Sequence, residues 1–368
     1  MAPTRPLDVI IVGAGFGGLT AAIECKLRGM NVTLVETYPT SLNYGDIIDF
    51  FPNGGRIIEN WENGQVGLFA GDVVVAADGP RSIARQQVLG LPDTKVNSGY
   101  AIFRAYFALT EEHAKNPLLK EFCDQTVDKT LLWITKDLHM IIYTWNKGKD
   151  LGWVLTHKGT ENIGESWSFP GRKQDVLDCL AQGEFEKRLV EVVNATPEKN
   201  IVDYKLVWRD PLETWLSPSA HTVLIGDAAH CHLLTSAHGG SQAMEDGVAL
   251  AVALDRSQGD VALGLRVFER IRFNRSHVTH MASIAVRDGY HNVDWDGDFI
   301  RENPHILALP RPEWVIEYDI EKESEKYFER LAADVRNGRQ GTFQQLALPA
   351  RGDYEPKTLK RKGPQSKF

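Results

Sequence analysis

Cysteine is scarce in this chain, and long hydrophobic runs are absent. Four cysteines, Cys25, Cys123, Cys179 and Cys231, are scattered without paired spacing, which is typical of free thiols in a reducing compartment. No stretch approaches the ~20 apolar residues of a transmembrane helix, so we expect no membrane span. Asp8 and three glycines interrupt the apolar start, and no small-residue cleavage site follows, so no secretory signal is predicted.

Positive charge is also in short supply. The 368 residues include 41 Lys and Arg against 49 Asp and Glu, a formal charge of −8, whereas nucleic-acid-binding proteins are usually basic. With 43% hydrophobic and 24% charged residues, the composition is typical of a soluble protein of one large or two ordinary domains. We therefore expect a cytoplasmic protein without nucleic-acid partners.

The carboxyl-terminal tail is locally basic. Residues 355–368 are polar, contain proline and carry five Lys or Arg residues, a composition that predicts disorder. The last three residues, Ser366-Lys367-Phe368, approach the S-K-L peroxisomal signal. Because Phe replaces the final Leu, we interpret this match as accidental rather than as an address.

The amino-terminal region carries the most informative motif. Within residues 8–36 an apolar run leads into Gly13-x-Gly15-x-x-Gly18, an alanine-rich helical pattern follows, and a second β-rich run ends at Glu36. Strand, glycine turn, helix, strand and terminal acid in this order form the fingerprint of a dinucleotide-binding βαβ unit. An ordinary buried βαβ unit without a nucleotide is the alternative interpretation.

Each residue of the fingerprint has a physical purpose. Gly13 permits a tight turn out of the strand, Gly15 lets backbone approach a pyrophosphate, and Gly18 lets helix and strand pack closely. The amino terminus of the helix faces the anion, and Glu36 can accept hydrogen bonds from a ribose diol. The motif predicts a nucleotide cofactor without specifying which one.

Hydrophobic periodicity predicts the remaining elements. A strand over 72–77 ends in Asp78-Gly79-Pro80-Arg81-Ser82, and later segments rich in Ile, Val, Tyr, Trp and Phe predict an inserted antiparallel sheet. The other predicted strands are Ala101–Leu109, Leu131–Thr135, His139–Trp145, Gly152–Thr156 and Thr222–Ile225, and helical patterns cover Lys173–Val193, Gln242–Leu254, Val261–Met281 and Glu317–Val335.

Three motifs stand in order along the chain. They are GAGFGGL at 13–19, VVVAADGPRS at 73–82 and VLIGDAAHCHLLTSAHGGSQAMEDG at 223–247. This trio resembles the single-component FAD-dependent aromatic hydroxylases, which include the salicylate and hydroxybenzoate hydroxylases. PNGGRIIENW at 52–61 and GGSQAMEDG at 239–247 are most similar to the fungal members of secondary metabolism. The resemblance covers almost the whole chain.

The resemblance implies a fold and a domain order. The fold class is α/β, a Rossmann-like FAD-binding βαβ domain with an inserted antiparallel β-sheet substrate domain and a helical carboxyl-terminal region. The expected ranges are 1–98 for the first, shortened part of the FAD-binding domain, 99–205 for the substrate domain, 206–285 for the second FAD-binding part, 286–354 for the helical region and 355–368 for the disordered tail.

The resemblance also implies residue roles. Gly13, Gly15 and Gly18 would hold the FAD pyrophosphate, and Glu36 would bind the adenosine ribose. Asp78 and Gly79 would lie near the pyrophosphate and the pyridine nucleotide, and Asp227 and Ala228 would bind the ribityl chain. Gly239 and Gly240 would open the helix beneath the flavin pyrimidine ring. A glycine there lets the ring approach backbone N–H groups that stabilise the negative charge of reduced flavin.

The implied activity is monooxygenation with NAD(P)H and dioxygen of a phenolic or polyketide-derived small aromatic, with decarboxylation where a carboxylate occupies the attacked carbon. Arg104, Tyr143 and His238 are candidate substrate contacts, although an ordinary ion pair for Arg104 and plain sheet core for Tyr143 are competing interpretations. We expect a monomer or homodimer. Two alternatives are a flavin-dependent dehydrogenase or reductase without oxygen insertion, and a degenerate, non-catalytic flavoprotein homologue.

The chain departs from the family pattern in two places. A long segment that includes an arginine contacting the FAD phosphates normally precedes the DG strand, but here Trp61 is followed almost directly by Gly71-Asp72. We therefore expect weaker FAD binding and a DG strand that lacks some of its usual cover. In addition, Leu234 stands in place of the usual proline, and His238 in place of the expected glutamine.

A cluster of histidines near the third motif raises a metal site as an alternative. His230, Cys231, His232 and His238 lie close together in sequence, but structural zinc sites usually draw ligands from separated pairs. We therefore expect no metal. His277 and His280 have helical i,i+3 spacing and no evident acidic partner, so they are predicted to lie on a solvated or packed helix face.

Overall fold

The computed structural model describes residues 5–36, 71–91, 93, 95–123, 126–159, 169–209, 212–233, 237–291, 297–302 and 313–339. The strands are β1 (Asp8–Val12), β2 (Asn31–Val35), β3 (Val73–Ala76), β4 (Lys95–Ala108), β5 (Thr130–Thr135), β6 (Leu138–Trp145), β7 (Asp150–Lys158), β8 (Val202–Arg209) and β9 (Thr222–Leu224).

The helices are α1 (Phe16–Leu27), α2 (Ile83–Leu89), α3 (Glu111–Lys115), α4 (Lys173–Gln182), α5 (Lys187–Ala195), α6 (Asp227–His230), α7 (Gly239–Arg256), α8 (Val261–His291), α9 (Gly297–Glu302), α10 (Glu313–Ile316) and α11 (Ile320–Arg336). Short 3₁₀ turns cover Lys120–Phe122 and Glu198–Asn200. Among the helices described, none combines the length and the apolar character needed to cross a bilayer.

A parallel sheet forms the first layer. Four strands lie in the order β2-β1-β3-β9, and all neighbours run parallel. Alternate residues of β1 point into the core, where Val9 and Ile11 are buried. Helices α1, α7, α8 and α11 contribute to this core, together with residues such as Trp215 from the segment before β9. The sequence-based expectation of a Rossmann-like unit is therefore confirmed.

The inserted sheet is antiparallel, in the order β5-β6-β7-β4-β8. One of its faces carries Phe103, Phe107, Met140 and Trp153, which pack with residues of α4 and α5 into a second core. The opposite face carries Ile102, Tyr204 and Leu206, which pack against Leu233 of the segment after α6. The inserted sheet therefore lies between the helices α4 and α5 and the part of the third motif that follows α6.

Several predicted elements differ from the observed ones. The single polar helical region over Lys173–Val193 is two helices, because the chain turns at Gly183-Glu184, where Glu184 has φ +52°. Helix α8 continues from Met281 to His291. Helix α11 begins at Ile320 rather than Glu317, because Asp319 caps it by accepting from the N–H of Lys322 at 3.2 Å.

The expected domain limits fall within strands and a helix of the structure. The limit at 98/99 falls within β4, the limit at 205/206 within β8, and the limit at 285/286 within α8. Strand β8 was not predicted, although its alternating Tyr204, Leu206 and Trp208 are typical of a half-buried strand. Both β4 and β8 belong to the antiparallel sheet.

We expected the strand of the DG motif, β3, to lack some of the neighbours that usually cover it. This expectation is wrong for the buried residues of β3. Strand β3 pairs with β1 on one side and β9 on the other. Val73, Val75 and Ala76 expose 1% or less of their surface. The stretch between Glu62 and Ala70 lies outside the described residues. Strand β3 itself is built into the sheet.

Candidate functional site

Four of the predicted site residues lie at one edge of the parallel sheet. Gly13 directly follows β1, Glu36 directly follows β2, Asp78 comes two residues after β3, and Asp227 comes three residues after β9. Because the strands are parallel and adjacent, their carboxyl ends lie at the same edge. In open α/β sheets this edge is where ligands bind.

The turn after β1 requires glycine at two positions. Gly13 has φ +105°, and a Cβ there would lie 2.3 Å from the carbonyl oxygen of Ala77. A Cβ on Gly18 would lie 1.9 Å from the carbonyl oxygen of Gly13. These contacts bring α1 close to the strand ends, as the fingerprint predicts. They also place the first and second motifs side by side.

Gly15 is different, because it faces open space. A Cβ built on Gly15 meets no atom of the described residues within 4 Å. Gly15 is the N-cap of α1, no side chain among the described residues caps this end, and the first turn contains no acidic residue. The first N–H groups of a helix lack intrahelical acceptors and attract anions. This end of α1 is therefore suited to a pyrophosphate.

Glu36 lies beside the glycine turn. Its Oε2 accepts a hydrogen bond from the N–H of Ala14 at 2.7 Å, and the N–H of Gly13 donates to the carbonyl oxygen of Val35 at 2.8 Å. The carboxylate is exposed. Glu36 therefore orders the glycine turn and also presents its charge at the sheet edge.

The DG motif begins helix α2. Asp78 accepts from the Ser82 hydroxyl at 2.6 Å and from the N–H groups of Ile83 and Ala84 at 2.9 and 3.2 Å. Ser82 in turn accepts from the N–H of Arg85 at 3.0 Å. Gly79, with φ +79°, makes the turn between strand and helix. In this structure Asp78 thus serves as a capping carboxylate for α2.

Arg85 links the second and third motifs, and the sequence analysis did not single it out. It exposes 3% of its surface and donates to the carbonyl oxygens of Asp227 at 2.9 Å and Ala228 at 2.6 Å. Burial, together with the nearby charge of Arg209, lowers its pKa below the usual value for arginine. In the sequence IARQQVL of this helix, no local signal distinguishes Arg85 from an exposed arginine.

The third motif forms the short helix α6. Ala228 is fully buried, whereas Asp227 is the one residue of 226–230 that is not buried. Gly226 has φ +57° and ψ −143°, a conformation that other residues rarely adopt. The geometry therefore fixes the main chain around Asp227 and leaves its side chain towards the partly accessible side of the turn.

Helix α7 presents a second uncapped amino terminus. His238 is its N-cap and is buried, no side chain among the described residues caps this end, and the first turn contains no acidic residue. A Cβ on Gly239 would meet no described atom within 4 Å, and Gly240 is half-buried beside it. A Cβ on Gly17 would lie 3.2 Å from the carbonyl oxygen of Ala243, which shows how closely α1 and α7 pack.

Histidines pack behind this end of α7. The rings of His230 and His232 lie 4.8 Å apart and those of His232 and His280 5.4 Å apart. Burial lowers the pKa of His232 well below its usual value and that of His280 to about 4. His277, stacked on Phe273, also has a pKa lowered to about 4 by burial. The predicted packed helix face is confirmed for His280.

The described part of the chain contains no group of three His, Cys, Asp or Glu side chains arranged to hold a metal ion. The pair of His230 and Asp246 is a hydrogen bond between Nε2 and Oδ2 at 2.5 Å. The rings of His232 and His280 lie tilted by 47° to each other. The histidines at 230, 232 and 280 therefore pack against one another beside α6.

The candidate substrate contacts Arg104 and Tyr143 lie on the antiparallel sheet. Arg104 pairs with Val154, which pairs with Ile141, and Tyr143 follows two residues later on the same face. Tyr143 also shares a row with Gly152 and Tyr106. This face is the one that Leu233 contacts through Ile102. Arg104 is buried and Tyr143 is half-buried, so Arg104 is away from bulk solvent and Tyr143 is partly accessible.

The residues present fit FAD. Two helix termini without acidic caps, each with open space above a glycine, can hold a pyrophosphate and the edge of an anionic ring. Glu36 stands where a ribose would approach the glycine turn. Asp227 follows β9, at the other edge of the same sheet from β2, so that an extended cofactor can reach from the glycine turn towards it. A simple mononucleotide site needs only the first half of this arrangement.

Known proteins resemble the chain along most of its length. Residues 8–43 match the FAD binding domain family. The chain is 32% identical to the FAD-dependent monooxygenase fmqB of Aspergillus fumigatus, over 82% of this chain and 77% of that protein. It is 27% identical to the FAD-dependent monooxygenase fsr3 of Gibberella fujikuroi, over 92% of this chain and 82% of that protein.

A solved structure agrees with these relatives. The crystal structure of CtdE in complex with FAD and substrate 4 superposes with a TM-score of 0.80 at 25% identity, over 90% of this chain and all of that chain. The family resemblance drawn from the three motifs is thereby confirmed, as is the fold class. With 32% identity across most of both sequences, this chain belongs to the FAD-dependent monooxygenases.

Proposed function

We propose that the protein uses NAD(P)H and dioxygen to hydroxylate a phenolic or polyketide-derived aromatic in secondary-metabolite biosynthesis, with loss of carbon dioxide where a carboxylate occupies the attacked carbon. When bound, FAD accepts a hydride from the reduced nicotinamide and activates dioxygen. The observation that carries the proposal is the pair of uncapped helix termini, at α1 and α7, beside one sheet edge.

The two helix termini have separate tasks. The N–H groups at the start of α1, reached over Gly15, would hold the pyrophosphate. The N–H groups at the start of α7, reached over Gly239, would lie against the pyrimidine ring and stabilise the negative charge that reduction places there. Asp227 would accept from hydroxyls of the ribityl chain, and Glu36 from those of the adenosine ribose.

One face of the inserted sheet is suited to binding an aromatic substrate. Tyr143 and Tyr106 flank Gly152 in one row, so the small residue leaves room between two aromatic rings on the face that Leu233 contacts. Arg104 lies one row away and would pair with a phenolate or carboxylate. An apolar wall with one cation would orient a flat anionic ring and exclude water from the reacting atoms.

The shortened segment weakens this site without removing it. The alignment with fsr3 runs over 437 residues, more than the 368 residues of this chain, which supports an internal deletion relative to that protein. The phosphate-binding arginine of the family has no counterpart here. Backbone N–H groups and the end of α1 would therefore neutralise the pyrophosphate. We expect FAD to bind about ten- to a hundredfold more weakly than it would with this arginine present.

The test is oxygen incorporation by the purified protein supplied with FAD. We expect phenolic substrates to stimulate NAD(P)H oxidation with oxygen uptake, and one ¹⁸O atom from ¹⁸O₂ to appear in the product. NAD(P)H oxidation that transforms the substrate without ¹⁸O incorporation would contradict the proposal and favour a dehydrogenase or reductase. A protein that takes up no FAD would instead favour a non-catalytic homologue.

A further inference from the structure

Asp246 holds both ends of the turn that carries Asp227. Its Oδ2 accepts from the N–H of Gly226 at 2.9 Å and from Nε2 of His230 at 2.5 Å. Gly226 and His230 are also joined directly, because the N–H of His230 donates to the carbonyl oxygen of Gly226 at 2.9 Å. A single carboxylate oxygen from α7 therefore closes the turn around Asp227.

The second carboxylate oxygen of Asp246 is anchored from behind. Oδ1 accepts from Nε of Arg272 at 2.7 Å, and Arg272 is fixed further by Glu245 and by the carbonyl oxygen of Gln242. Asp246, Glu245 and Arg272 are all completely buried. The carboxylate thus has a fixed position, and its hydrogen bonds fix Gly226 and His230 relative to α7.

The charges show that Asp246 is ionised in this place. Burial alone would raise its pKa, but the adjacent charges of His230 and Arg272 outweigh burial and lower it. An ionised carboxylate accepts both the main-chain N–H and the imidazole N–H. A neutral amide would place its own NH₂ group against one of these donors.

We infer that Asp246 is a positioning residue for the flavin. Asp246 holds the turn 226–230 so that Asp227 faces the cofactor. This inference rests on the proposed FAD site and adds to it a residue that does not itself reach the sheet edge. Asp227 is the only residue of the turn that is not buried, so a shift of the turn acts directly on the side chain proposed to bind the ribityl chain.

Glu245 provides a matched control. It neighbours Asp246 on α7, is equally buried, and binds the same Arg272. It also binds Arg275, at 2.6 and 2.7 Å. Both of these arginines lie on α8 and not in the turn 226–230. Asp246→Asn and Glu245→Gln therefore remove the same charge from the same buried network, but only the first disturbs the turn.

The experiment measures two quantities for the wild type and both variants. FAD is titrated into the apoprotein to give its Kd, and urea unfolding of the apoprotein gives its stability. We expect Asp246→Asn to raise the Kd for FAD ten- to a hundredfold and to shift the visible spectrum or reduction potential of the bound flavin. We expect Glu245→Gln to leave the Kd within threefold, even where it destabilises the fold as much.

Two results would overturn the inference. One is a Kd for Asp246→Asn within threefold of the wild type, and the other is an equal rise in Kd for both variants at equal loss of stability. If Asp246→Asn does not fold, His230→Gln decides, since it removes one contact of the turn and leaves Asp246 bound to Arg272. A Kd at least threefold higher supports the inference, and an unchanged Kd contradicts it. Wild-type protein that binds no FAD would contradict the proposed function itself.

Discussion

The guanidinium group of Arg85 donates from Nη2 to the main-chain carbonyl oxygen of Asp227 at 2.9 Å. This bond joins two motifs that lie 142 residues apart in sequence. Asp78 caps the helix on which Arg85 lies, and Arg85 in turn holds the carbonyl side of the turn that carries Asp227. The second motif therefore contributes to the site through the third, as well as through its own position at the sheet edge.

Replacement of Arg85 should weaken both folding and FAD binding. Arg85→Met leaves the carbonyl oxygens of Asp227 and Ala228 without this donor in a buried place, which should cost about 1.5–3 kcal/mol of stability. We also expect a higher Kd for FAD, because the turn loses one of its supports. Urea unfolding and FAD titration measure the two effects. Gln86→Met, at an exposed position of the same helix, is the control, and equal behaviour of the two variants would contradict the role of Arg85.

Two glycines of the first motif should respond differently to alanine. Gly15→Ala adds a methyl group in open space, so the apoprotein should unfold at nearly the same urea concentration while FAD affinity falls at least tenfold. Gly18→Ala places a methyl group against the carbonyl oxygen of Gly13, so the apoprotein itself should lose about 1–3 kcal/mol. If Gly15→Ala retained full FAD affinity, the pyrophosphate would not lie over α1.

Arg104 should affect the substrate and not the cofactor. We expect Arg104→Ala to raise the KM for phenolic substrates that carry a carboxylate at least tenfold, because a buried cation would no longer pair with the anion. The Kd for FAD should remain unchanged. Arg172→Ala, which removes an exposed arginine paired with Asp175, is the control. An unchanged KM in Arg104→Ala, measured by substrate-stimulated NAD(P)H oxidation, would place the substrate elsewhere.

Stability should fall as the pH is lowered from about 6.5 towards 4. Burial lowers the pKa of His277 and His280 to about 4 and that of His139 to about 3, from the usual 6.5. Below pH 6.5 the unfolded chain binds protons at these histidines and the folded chain does not, so each can cost up to ~1.4 kcal/mol per pH unit. Glu269, whose pKa burial raises, acts in the opposite sense in the lower part of this range.

Urea unfolding at pH 7.5, 6.5, 5.5 and 4.5 measures this dependence. His280→Gln removes one titrating group, and the slope of unfolding free energy against pH should become shallower in this variant. A control at His221, an exposed histidine, should keep the wild-type slope. A flat profile for the wild type between pH 6.5 and 4.5 would mean that these histidines are solvated in the folded protein.

The sequence predicted the parts of the site that depend on local chemistry. Gly13, Glu36, Asp78 and Asp227 could be placed because each closely follows a recognisable strand, and parallel strands bring their carboxyl ends to one edge. Arg85 and Asp246 could not be placed in this way. Arg85 acts through a contact with a residue 142 positions away, and Asp246 through a contact with a residue 20 positions away. Nothing in the local pattern distinguishes a buried arginine or aspartate from an exposed one.

The errors in the sequence-based fold have similar causes. The pattern over Lys173–Val193 is helical on both sides of Gly183, so a local turn with positive φ at Glu184 was not visible as a break. The long helix α8 continues beyond Met281 because tertiary packing buries polar residues such as Ser283 and His291. The uncovered DG strand was inferred from a missing segment, whereas β9, far along the chain, pairs with that strand.

The visible spectrum of the purified protein tests most directly whether this shortened chain retains the cofactor. We expect flavin absorbance after purification or after incubation with FAD, and heat or acid should release FAD in close to a one-to-one ratio, because binding is non-covalent. The affinity should be weaker than in relatives with the full segment but measurable by titration. A colourless protein that takes up no FAD, or one that releases FMN or NAD instead, would contradict the account.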